Sequence, residues 1–231
     1  MSDTADDKLA ELEAALQKMR KRQRKREAAA FAKGMMQGVC SILTPRDVVL
    51  DCGANVGVVT TQLAATGAHV HAFEPDPFAF EKLTAAVGSM ENVTVHKAAV
   101  GLDAGTVTLM RAANFADNPK GASVKSTVVS GGRGIDEIEG TVEEVKQISL
   151  LDQIDTLCSQ HGEIAFLKLD IEGAELPILE AMLEQRLFDR IRLTVAETHE
   201  RKFKELRPRF KALRAAVSEA YPVTRVNLDW I

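Results

Sequence analysis

No apolar run in this chain approaches the ~18 residues that a membrane-crossing helix needs. The opening residues, MSDTADDKLAELEAAL, are acidic and hold no signal-peptide core. Cysteine is scarce: Cys40, Cys52 and Cys158 are scattered, with no CxxC pair. That pattern suggests neither a disulfide framework nor a zinc site. Together these absences predict a cytoplasmic protein. Basic charge is also missing from most of the chain. Of the 231 residues, with a net charge of −4, residues 1–44 carry nine Lys/Arg and six Asp/Glu, so the remainder carries −7. A bulk nucleic-acid binder more often has a basic main domain.

What is present is an ordinary globular composition, 45% hydrophobic and 27% charged. It is enough for one large domain or a domain with an appendage. Proline is absent until Pro45, and residues 5–43 read as helix. Leu9, Leu12, Leu16 and Met19 recur at 3-4-3 spacing and make one apolar stripe. The stripe then meets seven cations between Lys18 and Arg26. Three uses of this helix compete. It is a solvated helix packed by a few leucines, a short coiled coil making a homo-oligomer, or a basic arm for RNA or an anionic membrane. Two heptads are few for a coiled coil. No aromatic side chain interrupts the cations to stack on bases, which weakens the RNA reading. Residues 1–44 are therefore expected to form a helical extension, and 45–231 the main domain.

From residue 47 short β-rich runs alternate with helical stretches. Strands are expected over 48–53, 69–74, 93–100, 164–170, 190–198 and 223–228. Helices are expected over 55–66, 77–87, 174–187 and 201–220. Such alternation predicts an α/β fold, a mostly parallel sheet with helices on both faces. These sheets bind ligands beyond the carboxyl ends of their strands, where strand order reverses. Residues 101–150 break the rhythm, with further strands expected over 106–110 and 142–150. Between them lies an irregular insertion, either a mobile connector or a loop that covers substrate.

The first chemistry-bearing segment is VVLDCGANVGVVT, residues 48–60. An apolar run ends in Asp51, then Gly53 and Gly57 follow. Glu74 lies 21 residues after Gly53, the spacing at which a carboxylate reaches a ribose diol. A dinucleotide site needs G-x-G-x-x-G, whose second glycine admits the pyrophosphate. Asn55 stands there instead, and Val58 replaces the last glycine. A phosphate would be crowded, which opposes a nicotinamide dehydrogenase. A phosphate-free adenosine ligand such as S-adenosylmethionine needs only a tight turn and room for an amino-acid tail. A packing-only glycine turn is the plain alternative.

The second segment is LKLDIEGAE, residues 167–175. Lys168 and Asp170 are two apart on a strand and share a face. Glu172 follows on the turn, and Glu175 opens a helix, where it can simply favour the N-terminal dipole. Charged groups at a strand end are poor core material. The third segment is AETHE, where Glu197 and His199 end the next strand. Carboxylates with a histidine can hold a hard divalent ion or act as general base. Asp170, Glu197 and His199 are weak metal candidates, and a divalent metal is not expected.

These stretches, LDCGANVGVVT, VHAFEPDP, KAAVG, LKLDIEGAE and VAETH in this order and spacing, resemble the FkbM family of S-adenosylmethionine-dependent methyltransferases. The resemblance covers about residues 46–200 and does not reach residues 1–44. It implies a Rossmann-like, seven-stranded sheet whose last strand runs antiparallel. It implies S-adenosylmethionine as cofactor, with the methionine tail near Gly53, Asn55 and Gly57 and the ribose on Glu74. Asp51, Pro75, Ala99 and Asp170 complete the cofactor candidates. After the third strand His96, Ala98 and Ala99 replace an acidic adenine contact, so backbone groups are expected to read the adenine. On the acceptor side the matching positions are Asp170, Glu172 and Glu197. Asp170 or Glu172 is the candidate general base, with Lys168 holding Asp170 or stabilising charge. The implied reaction is O-methylation of a hydroxyl on a small molecule, sugar or glycan. An RNA or protein methyltransferase using the basic arm, and a non-catalytic adenosine-ligand binder, are the alternatives.

Overall fold

The computed structural model describes residues 3–111, 126–130 and 142–230, with side chains from Asp7 onward. Most of the irregular insertion, read as either a connector or a substrate-covering loop, comprises residues 112–125 and 131–141 and lies outside the described residues. The chain divides into two compact units that meet between Ser41 and Ile42. The first consists of α1 (Asp3–Ile42), a helix of 40 residues, as far as Ser41. Its run of Ala, Leu, Lys, Arg, Glu and Gln favours helix at nearly every position. It stops just before Thr44-Pro45, because a residue preceding proline is pushed out of helical conformation. No helix among the described residues is long and apolar enough to cross a membrane.

The second unit begins with β1 (Val48–Cys52), whose five residues are all buried. A glycine turn leads into α2 (Val58–Ala64) and then β2 (His69–Phe73). Asp76 caps α3 (Pro77–Val87) by accepting from the backbone N–H groups of Phe78 and Ala79, and Pro77 occupies the first turn. Then come β3 (Val93–His96), β4 (Ala99–Gly101), β5 (Gly105–Met110) and β6 (Val142–Ser149). The Ser149 side chain caps α4 (Leu150–His161). After β7 (Ile164–Leu169) come α5 (Glu175–Glu184), β8 (Ile191–Ala196), α6 (Arg207–Ala220) and β9 (Val226–Asn227).

The main sheet has six strands in the order β3-β2-β1-β7-β8-β9. All its neighbours pair in parallel. A smaller sheet has the order β4-β6-β5. This is the α/β, mostly parallel architecture that the alternation predicts. Two details differ. Among the described residues there is no seventh, antiparallel strand; β9 is the last, and it runs parallel to β8. The reason is α6, which carries the chain back across the sheet, as a parallel neighbour requires. The expected third strand, 93–100, is split. His96 is the last residue to pair with β2, and Ala99 onward joins β6 of the other sheet.

The main core lies on one face of the large sheet. Leu50, Phe73, Leu167, Ile178, Leu179, Phe188 and Phe210 pack there with almost no exposure. β1 is the central strand from which the order runs outward both ways, to β2 and to β7. The crevice beyond the carboxyl ends of β1 and β7 is thus the switch point.

Candidate functional site

The turn after β1 is shaped by its neighbour. Gly53 has φ 79°, and a Cβ there would lie 1.7 Å from the carbonyl oxygen of Asp170. No side chain fits between these two strand ends. The Gly53 and Ala54 N–H groups both donate to the Phe73 carbonyl, at 3.0 and 2.9 Å. Asn55 is also left-handed, with φ 48°, and its N–H donates to Glu74 Oε2 at 2.8 Å.

Glu74 follows the last residue of β2 and is 7% exposed. Its other oxygen, Oε1, accepts from the Asp76 N–H at 2.8 Å. Burial pushes its carboxyl up to about 7, although the N–H groups of Asp76 and Asn55 oppose that shift. Each carboxylate oxygen keeps a lone pair beyond the one it uses here.

Asp51 faces inward. It is fully buried, accepts from Thr60 Oγ1 at 2.7 Å, and pairs with Lys168 Nζ at 3.3 Å. Lys168 Nζ also lies 3.4 Å from Asp170 Oδ2 and donates to the Gly53 carbonyl at 3.0 Å. Burial works against the ammonium, but Asp51 and then Asp170 outweigh it and hold it well above the ordinary lysine range. One cation therefore ties β1, the glycine turn and the end of β7 together.

The turn after β7 carries the acidic residues. Glu172 has φ 60°, a costly conformation for a side chain of its size. Glu175 fixes it from below: Oε1 accepts from the Ile171 N–H at 2.9 Å, and both oxygens take the Gly173 N–H. From above, Thr127 Oγ1 donates to the Glu172 carbonyl at 2.7 Å. Gly173 has φ 121°, and a Cβ there would strike the Phe203 ring at 2.2 Å. Glu175 Oε1 also meets His199 Nδ1 at 2.9 Å. Oε1 already accepts from two backbone N–H groups, so the donor in this contact is assigned to Nδ1. His199 Nε2 then faces Glu172 Oε2 at 3.3 Å, and Asp170 Oδ1 and Glu197 Oε1 at 3.9 Å each. Burial lowers the proton affinity of this imidazole, yet Glu175 and then Asp170 and Glu197 leave it above the ordinary value. The Lys202 ammonium stands on Glu172. Burial, then Asp170, raises the Glu197 carboxyl.

A cavity of about 360 Å³ joins these groups. Gly53, Asn55, Glu74, Pro75, Ala98 and Ala99 line one part of it, and Asp170, Glu172 and Glu197 another. Leu109 and residues 126–128 close a further side. A second hollow shares Gly53, Asn55 and Asp170 and reaches Val58, Phe78 and Lys82. Gly57 lines neither; a Cβ there would press on Leu83 at 3.0 Å. Ligand atoms of Asp170, Glu172 and His199 all lie within 4.8 Å of one another and could hold a divalent ion. Glu197 lies beside this group, its Oε1 3.9 Å from His199 Nε2.

Three contributors escape a sequence reading. Glu175 reads there as a dipole residue, but it is the buried anchor of the acidic turn. Asp76 takes Arg111 Nε at 2.8 Å and Ser126 Oγ at 3.3 Å, besides capping α3. An Asp before a proline is a recognisable cap signal, though its link to the insertion is not. Thr127 pairs with Met110 as an isolated bridge and carries no local signal.

A methyltransferase FkbM domain model matches residues 51–221. The chain is 31% identical over 177 residues to 31-O-demethyl-FK506 methyltransferase FkbM from Streptomyces tacrolimicus, covering 68% of this chain and 67% of that protein. A shorter match, 45% identical over 60 residues, is to Ribosomal RNA small subunit methyltransferase A from Rubrobacter xylanophilus. It spans 26% of this chain and 23% of that protein.

Proposed function

Because the chain belongs to the FkbM methyltransferase domain family, we propose that it transfers a methyl group from S-adenosylmethionine to a hydroxyl of a small molecule, sugar or glycan. The observation that carries this reading is a single cavity with two chemistries. One part is lined by the glycine turn and Glu74, the other by Asp170, Glu172 and Glu197; the first suits a ribose diol and the second an acceptor hydroxyl. The oxygen named as acceptor in the Streptomyces relative supports the choice of hydroxyl.

The residues fit the cofactor. Glu74 has lone pairs to spare for two ribose hydroxyls, which gives a charge-assisted contact. Gly53 and Asn55 line the cavity at the turn where the amino-acid tail would lie. Ala98 and Ala99 present small side chains and backbone groups to an adenine ring. When bound, the sulfonium supplies an activated methyl group for in-line displacement. The protein's task is then alignment and proton removal. Lys168 holds Asp170 and the Gly53 carbonyl in fixed relation, so the cofactor turn and the acceptor carboxylate are positioned by the same group. Asp170 or Glu172 accepts the hydroxyl proton, with Glu172 held in place by Thr127 and Glu175.

The test is titration calorimetry with S-adenosylhomocysteine, using NAD as control. Wild type is expected to bind the first and not the second. Asp170→Asn should keep that binding within about threefold, an effect below 1 kcal/mol, while losing methyl transfer to any acceptor that wild type accepts. Loss of S-adenosylhomocysteine binding in this variant, with the fold intact, would remove Asp170 from the acceptor side.

A further inference from the structure

Among the described residues, the apolar stripe of α1 is exposed along its length. Leu9, Leu12, Leu16 and Met19 are 57%, 67%, 43% and 64% exposed. Four large apolar side chains on one helix face are costly to leave in water. Their 3-4-3 spacing is that of alternate a and d positions, with Leu9 and Leu16 at a and Leu12 and Met19 at d.

The flanking charges choose the partner. In a parallel pair of helices, a g residue of one faces the e residue five positions later in the other. Here that sets Lys8 against Glu13 and Arg22 against Glu27, opposite charges in both cases, each occurring twice by symmetry. The intervening pair, Ala15 with Arg20, is neutral. An antiparallel pair would bring Lys8 beside Arg22 and Glu13 beside its own copy, like charges in both cases. Gln23 at the next a position is polar and holds Glu27 on its own helix at 2.8 Å. Arg26 at the following d position ends the seam. Lys18, Lys21, Arg24 and Lys25 fall at b, c and f, on the outward face, so the basic run does not obstruct the pairing.

We propose that residues 8–27 of α1 pair with the same residues of a second copy as a short, parallel, in-register coiled coil. The occupant of the exposed stripe is thus this same chain, selected by charge as well as by apolar contact.

Sedimentation equilibrium of the full chain tests this. Wild type is expected to approach the mass of two chains as concentration rises, and Leu12→Asp to remain at one. Lys8→Glu should raise the dissociation constant severalfold, and adding Glu13→Lys should restore it, because the pair is exchanged rather than lost. With Cys40 replaced by serine, Leu9→Cys should form an intermolecular disulfide on mild oxidation, since equal a positions meet only in a parallel pair. Ala14→Cys, on the outward face, should not. A wild type that stays at one chain throughout overturns the proposal, including the case in which it shifts RNA or binds anionic vesicles instead. So does equal cross-linking at positions 9 and 14.

Discussion

Glu74 shows how much one side chain decides. With its carboxyl raised to about 7 by burial, it is largely protonated at pH 6 and largely ionised at pH 8. In the proposed role, ribose hydroxyls donate to the ionised form, so S-adenosylhomocysteine should bind about tenfold more weakly at pH 6 than at pH 8. Glu74→Gln should bind about tenfold more weakly at pH 8 and lose the pH dependence. Calorimetry at the two pH values checks both, and a pH-independent wild type would contradict this role. The contribution of Glu74 to folding has the opposite sign. Its folded value lies above the ordinary 4.5, so stability from this group is fully present below that value and is lost by about pH 7. Glu74 was legible in the sequence because its spacing from Gly53 reflects a local βαβ unit. Glu175 was not, because its partners include a histidine on the far side of β8, which no local pattern announces.

At the scale of elements, the glycine turn is the most constrained feature. Gly53→Ala would place a methyl group 1.7 Å from the Asp170 carbonyl at a positive φ. It should cost more than about 3 kcal/mol, read as a lowered urea midpoint. Near-wild-type stability would mean that β1 and β7 can separate without penalty. The helices and strands themselves were largely readable, since β1 and β7 are uninterrupted apolar runs and α1 lacks proline. The break in VTVHKAAV was not. Its valines and threonine favour strand, and the change of sheet between His96 and Ala99 is set by pairing with β6, some fifty positions away. Thr127 escaped for a similar reason: its bonds run to Met110 and Glu172, and nothing around it in sequence implies either.

The whole molecule comprises two compact units. Residues 7–27 are exposed throughout, whereas every cavity-lining residue lies in the unit Ile42–Trp230. Removing residues 1–27 should therefore leave S-adenosylhomocysteine affinity unchanged and move Tm by less than about 4 °C. It should also abolish any concentration dependence of mass. A large fall in affinity would mean that the arm completes the site.

The bond from Lys168 to the Gly53 carbonyl joins residues 115 positions apart. Closing a loop of that length is slow and entropically costly, whereas β1 and β2 can find each other locally. The glycine turn can thus exist early in folding as an empty bend. It becomes a place for a ligand only when β7 arrives beside β1 and delivers Lys168 and Asp170 together. Occupancy of the cavity is for this reason a report on the completed chain, and whatever binds there holds closed a loop of 115 positions.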